Sequence, residues 1–306
     1  MRNAFIKILE EEAAKNKDIY FLTGDLGYSV IENYQAKFPK QFLNVGVAEQ
    51  DLAGIAAGIA STGKIVFMYS LGNFPTIRCL EQVRNDVCYN NLNVKVVTVG
   101  GGLHYGALAS THHATEDLAI MRALPNITVV APGDRAEAEL ATRAIIRHKG
   151  PCYLRLSTEN ELYKKRPKFK IGEAITVRKG SDVTIISIGG MLKVALDAAE
   201  MLKNNKINAR VISMHTLKPL DARTILKAAR ETKCIITIEE HTLMGGLGSA
   251  VAEVLAKNGG RVRIQMLGIP DMFSKKIGDR DFLRAHFGLT PQNVAAAARR
   301  LMTKGK

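Results

Sequence analysis

Four short polar runs hold the side chains whose types and spacing could do chemistry. The first is Asn44-Val45-Gly46-Val47-Ala48-Glu49-Gln50, which leads into Leu52–Ala60, a run made almost wholly of Ala, Gly and Ile. That run reads as a helix buried on most sides, with small residues that let another backbone come close. A carboxylate beside such a surface is costly unless something hydrogen-bonds it, so either the helix N-terminus or a bound ligand must satisfy Glu49. The second run, Thr23-Gly24-Asp25-Leu26-Gly27-Tyr28-Ser29, has the composition of a turn and offers Asp25 and Ser29. The third, Tyr69-Ser70-Leu71-Gly72-Asn73-Phe74-Pro75, offers Phe74, a ring that suits a core or the face of a planar ligand. The fourth holds His104 and then Thr111-His112-His113-Ala114-Thr115-Glu116-Asp117. Histidines so clustered suit acid–base work or metal binding. Adjacent His112 and His113 point in different directions on any regular backbone, so one functional and one structural histidine is the expected division.

The elements that must position these runs alternate along the chain. Apolar runs at 19–22, 64–68, 94–99, 127–130 and 152–156 read as strands, separated by helical patterns at 3–15, 52–60, 78–89, 116–123 and 134–148. Asp134 is a good N-cap for the last of these. The rhythm restarts with strands at 183–188, 209–213, 234–238 and 263–267 and helices at 191–203, from 218, at 249–257 and at 291–302. Repeated βα units predict an α/β fold of two domains, each a mostly parallel sheet covered by helices. The charged stretch near 160–175 marks the boundary, giving domains 1–165 and 166–306. In such sheets ligands bind beyond the carboxyl ends of the strands, where all four runs fall. Gly245-Gly246-Leu247-Gly248 resembles a phosphate loop but lacks the spacing of a dinucleotide fingerprint or a Lys-bearing P-loop. Close strand–helix packing is its plainer reading.

Bulk properties exclude several classes. The 306 residues carry a net charge of +14, yet the basic residues are scattered and their densest cluster, Lys164 to Lys170, reads as a solvated linker. Nucleic acid is therefore not expected as a partner; anionic substrates or an acidic partner chain account for the excess. No apolar stretch is long enough to span a bilayer, and the N-terminus reads as an amphipathic helix rather than a signal peptide. Cys79, Cys88, Cys152 and Cys234 show no metal-type spacing, as expected for free thiols in a cytoplasmic protein.

In combination the runs resemble the C-terminal half of a transketolase. Gly46 to Gln50 resembles that family's signature around its essential glutamate. Tyr69 to Asp86 resembles the aromatic-then-helix segment of its pyrimidine-binding domain, and Thr111-His112 its Pro-Thr-His loop. Pro132-Gly133-Asp134, Lys218-Pro219-Leu220-Asp221 and Glu239-Glu240-His241 with the following glycine loop are similar to later landmarks. The family's Gly-Asp-Gly…Asn motif, which binds the cofactor diphosphate through a metal, is not found.

The resemblance therefore implies a split enzyme moving a two-carbon ketol unit between sugars, with thiamine diphosphate as cofactor. A separate N-terminal subunit would carry the diphosphate domain and hold Mg²⁺ (or Ca²⁺), in an α2β2 heterotetramer, and this chain would hold no metal. Glu49 matches the carboxyl that bonds the aminopyrimidine, and Phe74 the ring stacked on it. The family's further ring-contacting aromatics would fall near Ile77 and Leu80. His112 matches the substrate-facing histidine, and Asp25 a position near cofactor and subunit interface. Arg2 and Ser29 match contacts to a sugar phosphate. The family's aspartate before the histidine would fall at Leu108, and a second phosphate-binding arginine at Thr158; both positions depart from the pattern. His241 is expected to have no catalytic role. Rival implications are a 2-oxo acid dehydrogenase β chain, a deoxyxylulose phosphate synthase, or a noncatalytic binding module with the same fold.

Overall fold

A computed structural model describes residues 1–157 and 161–303. Among them twelve strands form two sheets. The first sheet contains β1 (Ile19–Thr23), β2 (Phe42–Asn44), β3 (Ile65–Leu71), β4 (Val94–Val99), β5 (Thr128–Val130) and β6 (Cys152–Leu156), all parallel. The second contains β7 (Ile175–Arg178), β8 (Val183–Ser187), β9 (Ala209–Ser213), β11 (Cys234–Thr242) and β12 (Arg263–Ile269), parallel except for β7 against β9. The remaining strand, β10 (Thr216–Lys218), leaves the second half of the chain and pairs antiparallel with β5 at the edge of the first sheet.

Both faces of the first sheet are buried, which is why its strands are almost continuously apolar. Alternate residues serve opposite sides. Phe21, Phe67 and Tyr69 join Phe5 and Tyr34 in an aromatic cluster. Leu22, Met68, Val96 and Tyr153 belong to another core cluster, together with Leu52, Ala53 and Ala56 of the small-residue helix Glu49–Ser61. That cluster continues into Ile186, Ile212, Met214, Leu217 and Ile235 of the second half, so one apolar core runs under both sheets.

All nine expected strands are present. The structure adds three short ones, β2, β7 and β10, and two short helices, Glu32–Lys37 and Arg280–His286. The expected regular helix over 78–89 is instead a broken element. A wide helical turn, Phe74–Arg78, passes into Leu80–Gln82 and then a second wide stretch, Val83–Cys88, so Cys79 and Cys88 do not share one regular helix. No helix of the described residues is long and apolar enough to cross a membrane.

Candidate active site

Glu49 opens the helix Glu49–Ser61 and its side chain is 2% exposed. Its partner in the structure is Arg78, a cation from another element rather than the helix N-terminus. Arg78 Nη1 donates to Glu49 Oε2 at 2.7 Å. The same guanidinium lies over the Phe74 ring, with Cζ 4.3 Å from its centroid. Phe74 in turn meets His112 edge-on, ring centroids 5.5 Å apart. Glu49, Arg78, Phe74 and His112 thus form one row, and the three residues singled out from the sequence are joined by a fourth that was not. The wide turn Phe74–Arg78 is what carries both Phe74 and Arg78, and such turns recur at functional sites.

Two latches hold the row. Asn73 Nδ2 donates to the Thr111 carbonyl at 2.6 Å, tying the Phe74 turn to the histidine loop. The loops touch so closely that a Cβ on Gly72 would stand 2.4 Å from that of Ala114. The second latch is Asn44, also missed in the sequence. Its Oδ1 accepts from the amides of Asp25 (2.9 Å) and Gly46 (3.0 Å), and its Nδ2 donates to Asp25 Oδ1 at 3.1 Å. Asp25 is thereby fixed to the loop that delivers Glu49, in a left-handed conformation with φ 55°. Asn44 ends β2, a strand too short to announce itself by periodicity.

His112 is partly exposed, with Nδ1 3.0 Å from Thr111 Oγ1. His113 is buried, and burial pushes its pKa down. Ala109, three residues before His112, holds φ 61° and ψ −169°, a region that L side chains seldom enter, and its carbonyl accepts the His112 amide at 3.0 Å. Leu108 presents an exposed apolar side chain where a carboxylate was expected by resemblance. Thr158 lies outside the described residues. Nearby Arg155 is buried and committed to Asp117 (2.7 Å) and to the carbonyls of Ala114 (2.7 Å) and Glu240 (3.1 Å).

Arg2 and Ser29 are exposed, and among the described residues no hydrogen bond or ring contact joins either to the row. The Ser29 amide donates to Glu32 Oε1 at 2.7 Å. The glycine loop at 245–248 is occupied by the protein itself. Glu239, fully buried, accepts from the amides of Leu247 (2.6 Å) and Gly248 (2.7 Å), and a Cβ on Gly246 would lie 2.0 Å from its Oε2. His241 accepts the Ala119 amide at Nε2 (3.2 Å) and donates from Nδ1 to the Thr242 carbonyl (2.8 Å), which fixes a neutral, structural imidazole. Among the described residues no group of three or more His, Cys, Asp and Glu side chains could hold a metal ion.

Two mostly parallel sheets covered by helices, with a buried helix-initial glutamate, a ring and a histidine brought together at the strand ends of the first, define a two-domain α/β protein. Residues 1–162 match the transketolase pyrimidine-binding domain and residues 172–294 the transketolase C-terminal domain. The chain is 38% identical over 307 residues to an apulose-4-phosphate transketolase subunit of Phocaeicola vulgatus, covering 99% of this chain and 97% of that one. It is 37% identical over 301 residues to the 6-deoxy-6-sulfo-D-fructose transketolase subunit of a Clostridium species, covering 97% and 93%. A solved structure described as a split gene transketolase, an inactive β4 tetramer, superposes with TM-score 0.91 at 38% identity over 100% of this chain and 99% of that one. The chain belongs to the transketolase family.

Proposed function

We propose that this chain is the C-terminal subunit of a two-chain transketolase that moves a two-carbon ketol unit between sugar phosphates, active only with its N-terminal partner. The first 165 residues would form the pyrimidine-binding domain and the rest the C-terminal domain. The observation that carries the reading is the row Glu49–Arg78–Phe74–His112: a buried carboxylate, an aromatic face and an accessible imidazole at the strand ends. That carboxylate, ring face and imidazole suit the aminopyrimidine end of thiamine diphosphate. On this reading a partner subunit would hold the diphosphate and Mg²⁺ or Ca²⁺, in an α2β2 assembly. Relatives described as subunits of transketolases, one acting on apulose-4-phosphate and one on a sulfo-sugar, support the split arrangement and an anionic sugar substrate.

Thiamine diphosphate, when bound, supplies the acidic thiazolium carbon on which ketol transfer depends. Every other task falls to side chains. Glu49 would share a proton with the aminopyrimidine N1′, which buried, hydrogen-bonded carboxyls do well. Phe74 would cover the ring face, and Asp25 would border the cofactor and the partner subunit. His112 would hold the donor hydroxyls and move a proton at the reacting oxygen. Arg2 and Ser29 would receive the substrate phosphate at the outer edge of the site. Leu108, lacking a carboxylate, would shift the preferred sugar stereochemistry.

The test is reconstitution with the partner subunit. Glu49→Gln should lower kcat about 10³-fold with the circular dichroism spectrum unchanged. An undiminished kcat would remove Glu49 from the chemistry.

A further inference from the structure

We propose that Arg78 is a displaceable plug: in the cofactor-free chain its guanidinium fills the seat between Glu49 and Phe74 and must leave when the cofactor's aminopyrimidine docks. This rests on the preceding reading of Glu49 and Phe74 as that seat.

The shape of the contacts makes the case. An arginine head is a flat, delocalised plate with N–H donors along its edge. Here one edge donates to the Glu49 carboxylate at 2.7 Å while Cζ lies over the Phe74 ring, 4.3 Å from its centroid. A planar, amino-bearing heterocycle held by a carboxylate and stacked on an aromatic ring makes the same two contacts. It cannot share that face of Phe74 with Arg78.

The two ends of the ion pair differ in freedom. Glu49 is 2% exposed and anchored in the first turn of a buried helix, whereas the Arg78 side chain is 48% exposed. Arg78 can therefore swing into water on its flexible stem, while Glu49 has nowhere to go. It also sits at the end of a wide helical turn, Phe74–Arg78, and Ile77 beside it is half exposed, so its path outward is open.

The plug gives the free subunit a physical advantage. A buried carboxylate left alone would be strongly unfavourable. Arg78 neutralises it until a ligand arrives. The consequence is a lower apparent affinity, because cofactor binds only the fraction of molecules whose seat is open.

The test uses the reconstituted two-chain complex, titrated calorimetrically with thiamine diphosphate in the presence of Mg²⁺. Arg78→Met should bind about tenfold more tightly than the wild type. Arg78→Lys, which keeps the charge but not the plate, should fall between them. In the isolated cofactor-free chain Arg78→Met should lower Tm, and adding Glu49→Gln should restore most of the loss. That rescue shows that Arg78 neutralises Glu49, and the tightening on titration is what separates a plug from a merely structural ion pair. Unchanged or weaker cofactor binding by the Met variant, or by the Lys variant if the Met variant does not fold, overturns the plug. If Glu49→Gln alone leaves both affinity and turnover unchanged, the seat itself is wrong and both readings fall. If Glu49→Gln acts as expected and the Arg78 variants do not tighten, only the plug fails.

Discussion

At the scale of single residues, side chains and backbone are held in arrangements that folding alone would not select. Glu49 is buried only with a cation from another element beside it. Ala109 keeps a backbone conformation that suits glycine, and strain of that kind costs about 1–3 kcal/mol. Its carbonyl receives the His112 amide, so the strained turn sets where the imidazole starts. Ala109→Gly should therefore stabilise the chain by about 1 kcal/mol, even after the entropy that glycine adds to the unfolded state. The expected gain in Tm is about 2 °C, read by thermal denaturation. An unchanged or lower Tm would mean that the turn is not strained. Phe74→Leu tests the ring at the same scale. It should weaken thiamine diphosphate binding in the complex about tenfold, the loss of one stacked ring, and equal affinity would remove Phe74 from the cofactor's surroundings.

Secondary-structure elements explain what could be read in advance and what could not. The nine expected strands were legible because buried parallel strands are continuous apolar runs. Phe74 and His112 were legible as chemistry because they follow such strands, and Glu49 because it is a lone carboxylate at the head of a small-residue helix. Arg78 and Asn44 were not. Arg78 looked like one cation on a regular helix face, and only the wide turn at Phe74–Arg78, which no local propensity signals, aims it at a carboxylate 29 residues earlier. Asn44 ends a three-residue strand whose pairing is set by β1 rather than by its own pattern. The helix Arg135–Arg147 shows the converse, a start signal that was read and then found to do more. Asp134 caps it by accepting the Glu137 amide at 2.8 Å, and Glu137 reaches back to the Gly133 amide at 2.6 Å, close to a capping box. Burial drives the Glu137 pKa up from 4.5 to about 7, even though Tyr163 and the Gly133 amide oppose the rise. A carboxyl raised on folding stabilises fully below its unfolded pKa, and that contribution is lost as pH climbs through the folded value. Between pH 5 and pH 8 the wild type should thus lose about 3 kcal/mol that Glu137→Gln does not. Thermal unfolding of both proteins across that range should show the variant gaining on the wild type as pH rises. A gap independent of pH would mean that Glu137 does not titrate there.

At the scale of the whole molecule the two halves are built as one body. Strand β10 closes the edge of the first sheet, and one apolar cluster runs beneath both sheets. Their junction also carries a buried ionic knot. Glu240 accepts from Arg280 at 2.6 Å, from Arg284 at 2.7 Å and from the Leu103 amide at 2.9 Å. Burial alone would raise its pKa, but the two guanidiniums outweigh that and hold it well below the usual carboxylate range. Such a group stabilises above its unfolded pKa, and the contribution is lost as pH falls through the folded value. Gly102, whose Cβ would stand 2.6 Å from the Glu240 side chain, lets the start of the histidine loop lie directly on the knot. The position of His112 thus depends on the second half of the chain, although the residues of the row all come from the first. Arg280→Met would leave the buried carboxylate with one cation and strip Ser157 of its 2.6 Å donor, a change that should cost about 3 kcal/mol. Because the halves share a core and a strand, the loss should appear in calorimetry as one transition displaced to lower temperature, with calorimetric and van't Hoff enthalpies in agreement. Two separated transitions, with only the second half unfolding early, would show instead that the junction is a docking contact between independent domains.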